Sequence, residues 1–341
     1  MTAMHDTLLL SSAHQAGPDI QCRRERGLLL RARRGEIHLH VSTLHGQLLS
    51  LGRFHPRLPA AGAQIWHRHT GGRAVAAGDG FLNITLALPR RTVLGESLRP
   101  EQILNRAVRG LLQWLRGLQI DPVYPGLDFI TVGSQRLAHL GFFEGEHGEL
   151  LVQIILAQTT SLAETMLRLD RLDPNGRVPS MVWLPEEATT MDRLGPVAEK
   201  QRLPSAALGP LGSAYAENLG LGVGVCDTPS LTRELESNHS EQPAAGLSVK
   251  NRVQIQGRLG PVLASITILD GQYDSVGVEG DFLAPESFPR ALTDALRGEA
   301  ATSETLQRVL PTLFGQPEFY ALGMDADLFL ELLERARKAA S

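Results

Sequence analysis

Lysine is almost missing from this chain. It occurs only at Lys200, Lys250 and Lys338, and every other basic side chain apart from histidine is arginine. A mechanism that needs a tunable amine therefore has three candidates, because arginine stays protonated and differs in shape and reach. Cysteine is equally scarce. Cys22 and Cys226 are too few and too far apart for a disulfide framework or a metal cluster. No apolar run reaches the roughly 20 residues of a membrane-spanning helix. Residues 1–21 lack a basic segment followed by a continuous apolar core, so they do not read as a secretory signal and the expected compartment is the cytoplasm. A formal charge of −4 excludes a broad basic face for nucleic acid. Arg23, Arg24, Arg26, Arg31, Arg33 and Arg34 form only a local basic run, read as a solvated face or leader.

What is present suits a globular protein. With 341 residues, 43% hydrophobic and 21% charged, the chain can bury two cores. Residues 1–25 read as a tail or a loosely attached first element. Leu28 to Arg31, Ile37 to Val41 and Leu48 to Gly52 read as strands, as does the alternating run Leu82 to Leu88. Leu104, Val108, Leu111, Leu115 and Leu118 make one apolar stripe on a helix opening at Pro100. Strands are expected between Asp128 and Leu156 around a turn at 145–148, then a helix from Ser161 to Leu169. Pro204 to Gly212 reads as a loop before a short helix, 214–219. The polar stretch 236–249 reads as a linker. Beyond it, Val262–Leu269 and Tyr273–Glu279 flank Asp270-Gly271, a hairpin dipeptide. Helices follow near 286–297, 303–313 and 325–338. The expected division is a tail at 1–25, a main domain at 26–240 and a C-terminal domain at 246–341.

The most informative run is His67-Arg68-His69-Thr70-Gly71-Gly72-Arg73-Ala74-Val75-Ala76-Ala77-Gly78-Asp79-Gly80-Phe81-Leu82-Asn83. It resembles the signature loop of the lipoate–protein ligases, roughly R-R-x-[ST]-G-G-G-A-V-x-H-D-x-G-N. Glycine lets backbone approach a partner closely and tolerates positive φ, and an arginine fork suits carboxylate or phosphate. Further segments are similar in the same order. His45 to Phe54 resembles the strand before the signature, and Gly126 to Gly133 resembles an Asn-Asp element that retains Asp128. Ser134 to His139 falls on the segment carrying the family's catalytic lysine. Gly260 to Phe282 resembles its accessory-domain hairpin.

The resemblance implies an α/β (α+β) fold: a biotin/lipoate ligase-type mixed sheet with flanking helices, plus a small α+β C-terminal accessory domain. It implies ATP-dependent activation of lipoate or octanoate, with Mg²⁺, to an acyl-adenylate. Transfer would follow to a lysine of a lipoyl-domain or H-protein-like carrier. Arg68, Thr70, Gly71, Gly72, Arg73, Ala74, Val75, Asn83 and Asp128 would bind the lipoyl-adenylate, and Arg136 would stand where the catalytic lysine does. Several positions depart from the pattern. Arg73 replaces the third glycine, Ala77-Gly78 the His-Asp pair and Leu127 the asparagine. Arg136 or Gln135 replaces the lysine, and Leu150 to Gln153 replaces a His-His-Gly-Thr turn. A misplaced charge of about 1 Å can cost on the order of 100-fold in rate. Two alternatives therefore accompany the ligase expectation: an ATP-independent lipoyl or octanoyl transferase, and an inactive partner subunit that binds lipoyl carriers. The paired histidines His38/His40 and His67/His69 read as polar strand residues rather than zinc ligands. Cys226 reads as an inert thiol.

Overall fold

The computed structural model describes residues 7–58, 64–195, 203–226 and 252–340. The expected linker at 236–249 lies outside them, as do Lys200 and Lys250. In chain order the first elements are β1 (Thr7–Ala16), α1 (Pro18–Arg33), β2 (Ile37–Leu44), β3 (Gln47–Leu51), β4 (Ile65–His67), β5 (Val75–Gly78) and β6 (Phe81–Leu88). A short 3-10 turn leads into α2 (Ile103–Ala107) and α3 (Arg109–Gly117), followed by β7 (Pro122–Val123), β8 (Phe129–Val132), β9 (Gln135–Glu144) and β10 (Leu150–Ala157). Then come α4 (Glu164–Leu172), α5 (Met191–Leu194), α6 (Pro204–Leu219) and β11 (Gly222–Val225). The C-terminal part holds β12 (Val253–Gln256), β13 (Pro261–Leu269), β14 (Gln272–Gly280), α7 (Phe288–Leu296), α8 (Ser303–Phe314) and α9 (Ala326–Ala340).

The large sheet has eight strands in the order β11-β1-β2-β6-β10-β9-β8-β7, with β1 parallel to both neighbours and the pairs from β2 to β7 antiparallel. Side chains alternate across it. One face carries Leu8, Leu10, Leu39, Val41, Ile84, Leu86, Val152 and Ile154, and packs on Leu104, Leu111, Leu115, Leu211 and Tyr215 of α2, α3 and α6. The opposite face is covered by α1 and by a second sheet, β4-β3-β5. That second face is polar, with His40, Ser42, Asn83, Thr85, His139 and Gln153 all buried on it. The signature loop runs between β4 and β5, which places it over this polar face.

Three local readings change. Residues 7–25 are β1 and the first half of α1, not a tail: the alternation of β1 places Leu8 and Leu10 in the core. Leu28 to Arg31 lies in α1 rather than in a strand. Its apolar run is short enough to serve either geometry, and Gln21, Glu25, Leu28, Leu29 and Ala32 form the buried helical stripe. Pro204 to Gly212 is helix α6, not a loop. Pro204 sits at the first helical position, where its missing N–H is harmless. Gly110 and Gly212 serve close packing: a Cβ would lie 2.5 Å from the Tyr215 ring and 2.4 Å from Leu10 respectively.

The C-terminal unit is the expected hairpin with three helices. Asp270 and Gly271 adopt φ of 50° and 75°, as the two-residue turn requires. Its core joins Val262, Val276, Phe288, Leu292, Leu306, Leu310, Phe329 and Leu332. Phe54 of the main domain stacks on Phe282, with ring centroids 4.3 Å apart.

Candidate functional site

Residues 70–78 of the signature loop are all buried. Arg68 is the fastening. Its Nε donates to Thr70 Oγ1 at 3.1 Å. Nη1 donates to the carbonyl and hydroxyl of Ser50, both at 3.2 Å. Nη2 donates to the Gly71 carbonyl (3.0 Å), the Arg73 carbonyl (2.7 Å) and His139 Nε2 (3.1 Å). Burial pulls its guanidinium down to about 10, which leaves it charged at neutral pH. Since Arg68 only donates, His139 Nε2 must accept, and the ring proton lies on Nδ1, 3.7 Å from Asp128. Burial, then Arg68 and Arg73, hold His139 well below the usual histidine range, so the ring is neutral.

The loop is tied to α1 through Thr70, whose hydroxyl donates to Gln153 Oε1 at 3.1 Å. Gln153 Nε2 donates to Glu25 Oε1 at 2.8 Å. Glu25 Oε2 in turn accepts from the His69 amide and from His69 Nδ1. The two glycines do make close approaches, but to protein. The Gly71 amide donates to the Phe142 carbonyl at 3.0 Å, and the Gly72 amide to the Phe282 carbonyl at 2.9 Å. A Cβ on Gly71 would lie 2.7 Å from that Phe282 oxygen, while Gly72 has a φ of +91°. The C-terminal unit is seated on the glycine pair.

Arg73 and Asp128 meet face to face. Arg73 Nε and Nη2 donate to the two Asp128 oxygens at 2.6 and 2.8 Å, with both side chains almost fully buried. The Arg73 guanidinium also lies over the Trp183 ring, 4.9 Å from its centre. Burial opposes the charge on Arg73, and the Asp128 carboxylate more than offsets it, holding the guanidinium above its ordinary range. Beside this pair Asp281, fully buried, accepts from His55 Nε2 at 3.0 Å, from the Ser180 hydroxyl at 2.9 Å and from the Met181 amide at 2.6 Å.

The structure thus brings Arg68, Thr70, Gly71, Gly72, Arg73 and Asp128 together. Ala74 and Val75 continue the loop into β5, their side chains buried in apolar clusters. Asn83 lies on β6, bonded to Ser42 and Thr85 rather than to a member of the loop. Arg136 is at the start of β9, over the Phe129 ring and paired with Glu187 at 2.8 Å. Glu25, Gln153, Trp183 and Asp281 belong to the same network and carry no sequence signal beyond the Gly-Asp-Phe step at 280–282.

Most polar groups of the loop are engaged within the protein, while Arg73 Nη1 is buried with no partner among the described residues. Both oxygens of Asp128 are taken by Arg73, Arg136 is held by Glu187, and the Arg68 donors are filled by loop and sheet acceptors. Among the described residues no group of three or more His, Cys, Asp or Glu side chains is placed to hold a metal ion. No helix among them is long and apolar enough to cross a membrane.

No family model matches the sequence, and no curated protein matches it. Solved structures do. The chain is similar to P. falciparum LipL1 in complex with lipoate, at 13% identity and a TM-score of 0.64, over 98% of this chain and 99% of that one. It is also similar to the bipartite lipoate protein ligase of Thermoplasma acidophilum, studied with its E2 lipoyl domain. Identity there is 15% and the TM-score 0.50, over 68% of this chain and 92% of that one. The mixed eight-stranded sheet, its flanking helices and the loop over its polar face therefore make up the fold of the lipoate–protein ligases.

Proposed function

We propose that this protein handles lipoyl or octanoyl groups together with a lipoyl-domain or H-protein-like carrier. In the arrangement described, it acts as a carrier-binding partner rather than as a self-sufficient ligase. The observation that carries this is the Arg73–Asp128 ion pair, closed and buried in the glycine loop where the resemblance puts the acyl-adenylate. An oxyanion entering there would compete with a carboxylate already bound through two hydrogen bonds, in surroundings where water does not screen the attraction. Arg68, Thr70, Gly71, Gly72, Ala74 and Val75 then serve as the frame of a closed loop. Arg136 serves as a surface-proximal cation paired to Glu187, and Asn83 as part of the polar layer beneath α1.

The likeness to a lipoate-bound structure across the whole chain supports a second reading, an ATP-dependent ligase whose loop opens. That reading requires Arg73 and Asp128 to separate and Arg136 to leave Glu187. An ATP-independent transferase needs a nucleophile: Cys226 follows β11, the edge strand of the large sheet, with Arg31 Nη1 donating to its Sγ at 3.7 Å, and Cys22 does not supply one either. Burial pushes its thiol far up, and its Sγ is bonded to the His67 carbonyl.

One pair of measurements separates these readings. A lipoyl-domain carrier is incubated with the protein, lipoate, ATP and Mg²⁺, then weighed intact. In parallel, the same carrier is titrated against the protein without nucleotide. The expected result is saturable carrier binding with no gain of mass. An ATP-dependent gain of one lipoyl group establishes the ligase instead, and absence of binding removes the carrier-partner reading.

A further inference from the structure

Helix α1 turns one face to the glycine loop and the other to solvent. On the inner face Glu25 accepts from the amide and ring of His69 and from Gln153, which fastens the helix to the start of the loop. On the outer face Ile20, Arg23, Arg26 and Leu30 follow 3-3-4 spacing, so they form one ridge. Arg23 is exposed, Arg26 is half-buried, and the exposed Arg57 joins them from the segment after β3. Burial, then Glu25, pushes the Cys22 thiol up, and both Arg26 and Arg57 pull against it. Burial and then Arg57 lower the His67 ring. Both arginines therefore stand at the corner where Cys22 Sγ donates to the His67 carbonyl, 3.3 Å away, beside the entry to the loop.

The charge at this corner is unmatched. Farther along the same helix Arg31 pairs with Glu36 at 3.3 Å and Arg33 with Glu149 at 2.6 Å. Arg23, Arg26 and Arg57 make neither an ion pair nor a hydrogen bond among the described residues. Asp19, in the first turn, is the single acid on the outer face of α1. The chain as a whole carries −4, so a positive corner runs against its balance. Like charges one turn apart repel each other, and a complementary negative surface relieves that repulsion. Ile20, 39% exposed, lies in the same ridge. An apolar side chain among cations suits a protein partner, whose interfaces combine both, better than a phosphate backbone.

We propose, resting on the carrier-binding reading above, that the outer face of α1 together with Arg57 is the docking surface for an acidic face of the carrier. Carboxylates of the carrier meet Arg23, Arg26 and Arg57, and Ile20 supplies the apolar contact. Attraction between the two surfaces hastens encounter and sets orientation. Docking there brings the carrier against the helix whose Glu25 holds the His69 end of the loop.

The test titrates an unmodified lipoyl domain of net negative charge against three proteins by calorimetry. They are the parent, the reversal Arg23→Glu, Arg26→Glu, Arg57→Glu, and a control reversal Arg106→Glu, Arg109→Glu, Arg116→Glu. The control arginines are exposed on α2 and α3, across the large sheet, so the two variants differ only in where the same charge change lies. The α1 variant is expected to bind the carrier at least about tenfold more weakly than the parent, and the control within about twofold. Raising the salt from about 0.05 to 0.3 M should weaken parent binding more steeply than that of the α1 variant. If thermal unfolding shows that the triple α1 variant is not folded, Arg23→Gln with Arg57→Gln, both exposed, reads the same surface through a loss of about threefold or more. Carrier binding by the parent with equal losses in the two reversals, or with no loss in the α1 variant, overturns the docking surface and leaves the carrier reading standing. Absence of carrier binding by the parent removes both. Binding of phosphatidylserine vesicles or duplex DNA that is lost in the α1 variant, while its carrier binding is unchanged, overturns the assignment to a carrier.

Discussion

Replacing Asp128 with alanine is expected to lower the unfolding free energy by about 3–5 kcal/mol, the range found when one partner of a buried ion pair is removed. The reason is local. Arg73 is 2% exposed and lies against Trp183, so once Asp128 is gone its charge has neither water nor a counter-ion. Arg73→Gly should cost a similar amount by stranding the carboxylate, although it restores the residue that the signature has at that position. The double change Arg73→Met with Asp128→Leu should recover most of the loss, because two apolar side chains of similar size leave nothing unpaired. Urea unfolding of the four proteins measures these differences. A loss below about 1 kcal/mol for Asp128→Ala would mean that water reaches the pair, and the closed-loop account would fall with it.

Acidification should destabilise the protein well before its carboxylates titrate. Burial is the main cause of a His40 value lowered to about 3, with Arg24 and His38 adding to it. Burial likewise lowers His67 to about 4, helped by Arg57, His55 and Arg68. Both rings are neutral when folded, while in the unfolded chain they take up a proton near pH 6.5. Their contribution to stability is therefore complete above about pH 6.5 and is lost as pH falls from there toward 4 and 3. By pH 4.5 each ring contributes a loss of roughly 2–3 kcal/mol, His67 less because part of it meets solvent. Urea midpoints from pH 7.5 to 4.5 should fall steeply, and His40→Gln should flatten the slope. A parent protein with the same midpoint at both ends of that range would contradict neutral burial of these rings.

The glycine loop was legible in the sequence because Arg68, Thr70, Gly71 and Gly72 lie within five residues of one another. Most of their partners were not. Asp128 was read with the loop through its own element, but Ser50, His139, Gln153 and Phe282 reach the loop through sheet register and domain seating, neither of which leaves a local pattern. The glycines show this limit well. Sequence spacing says that something must come close to Gly71 and Gly72, and the structure supplies the Phe142 and Phe282 carbonyls instead of a ligand. Glu25 was hidden for another reason. An arginine-rich surface on α1 masks a buried stripe, so its segment reads as a solvated tail. Pro204 to Gly212 misled in the opposite direction, since proline and small residues there serve a helix start and tight packing. Arg136 lies at the start of β9, and its pairing with Glu187 depends on a short 3-10 turn near Ala188 that no periodicity announces.

The position of β1 also bears on how the protein is made. A strand that opens at Thr7 sits inside the large sheet, and one of its two neighbours begins only at Gly222. At a synthesis rate of about 5–20 residues per second, the ribosome takes on the order of ten to forty seconds to deliver that second neighbour. Throughout that interval Leu8 and Leu10 have β2 beside them but an open edge on the other side, and α6, the helix that covers them, is not yet complete. Translation speed between the two strands, as much as folded-state stability, should govern the yield of soluble protein.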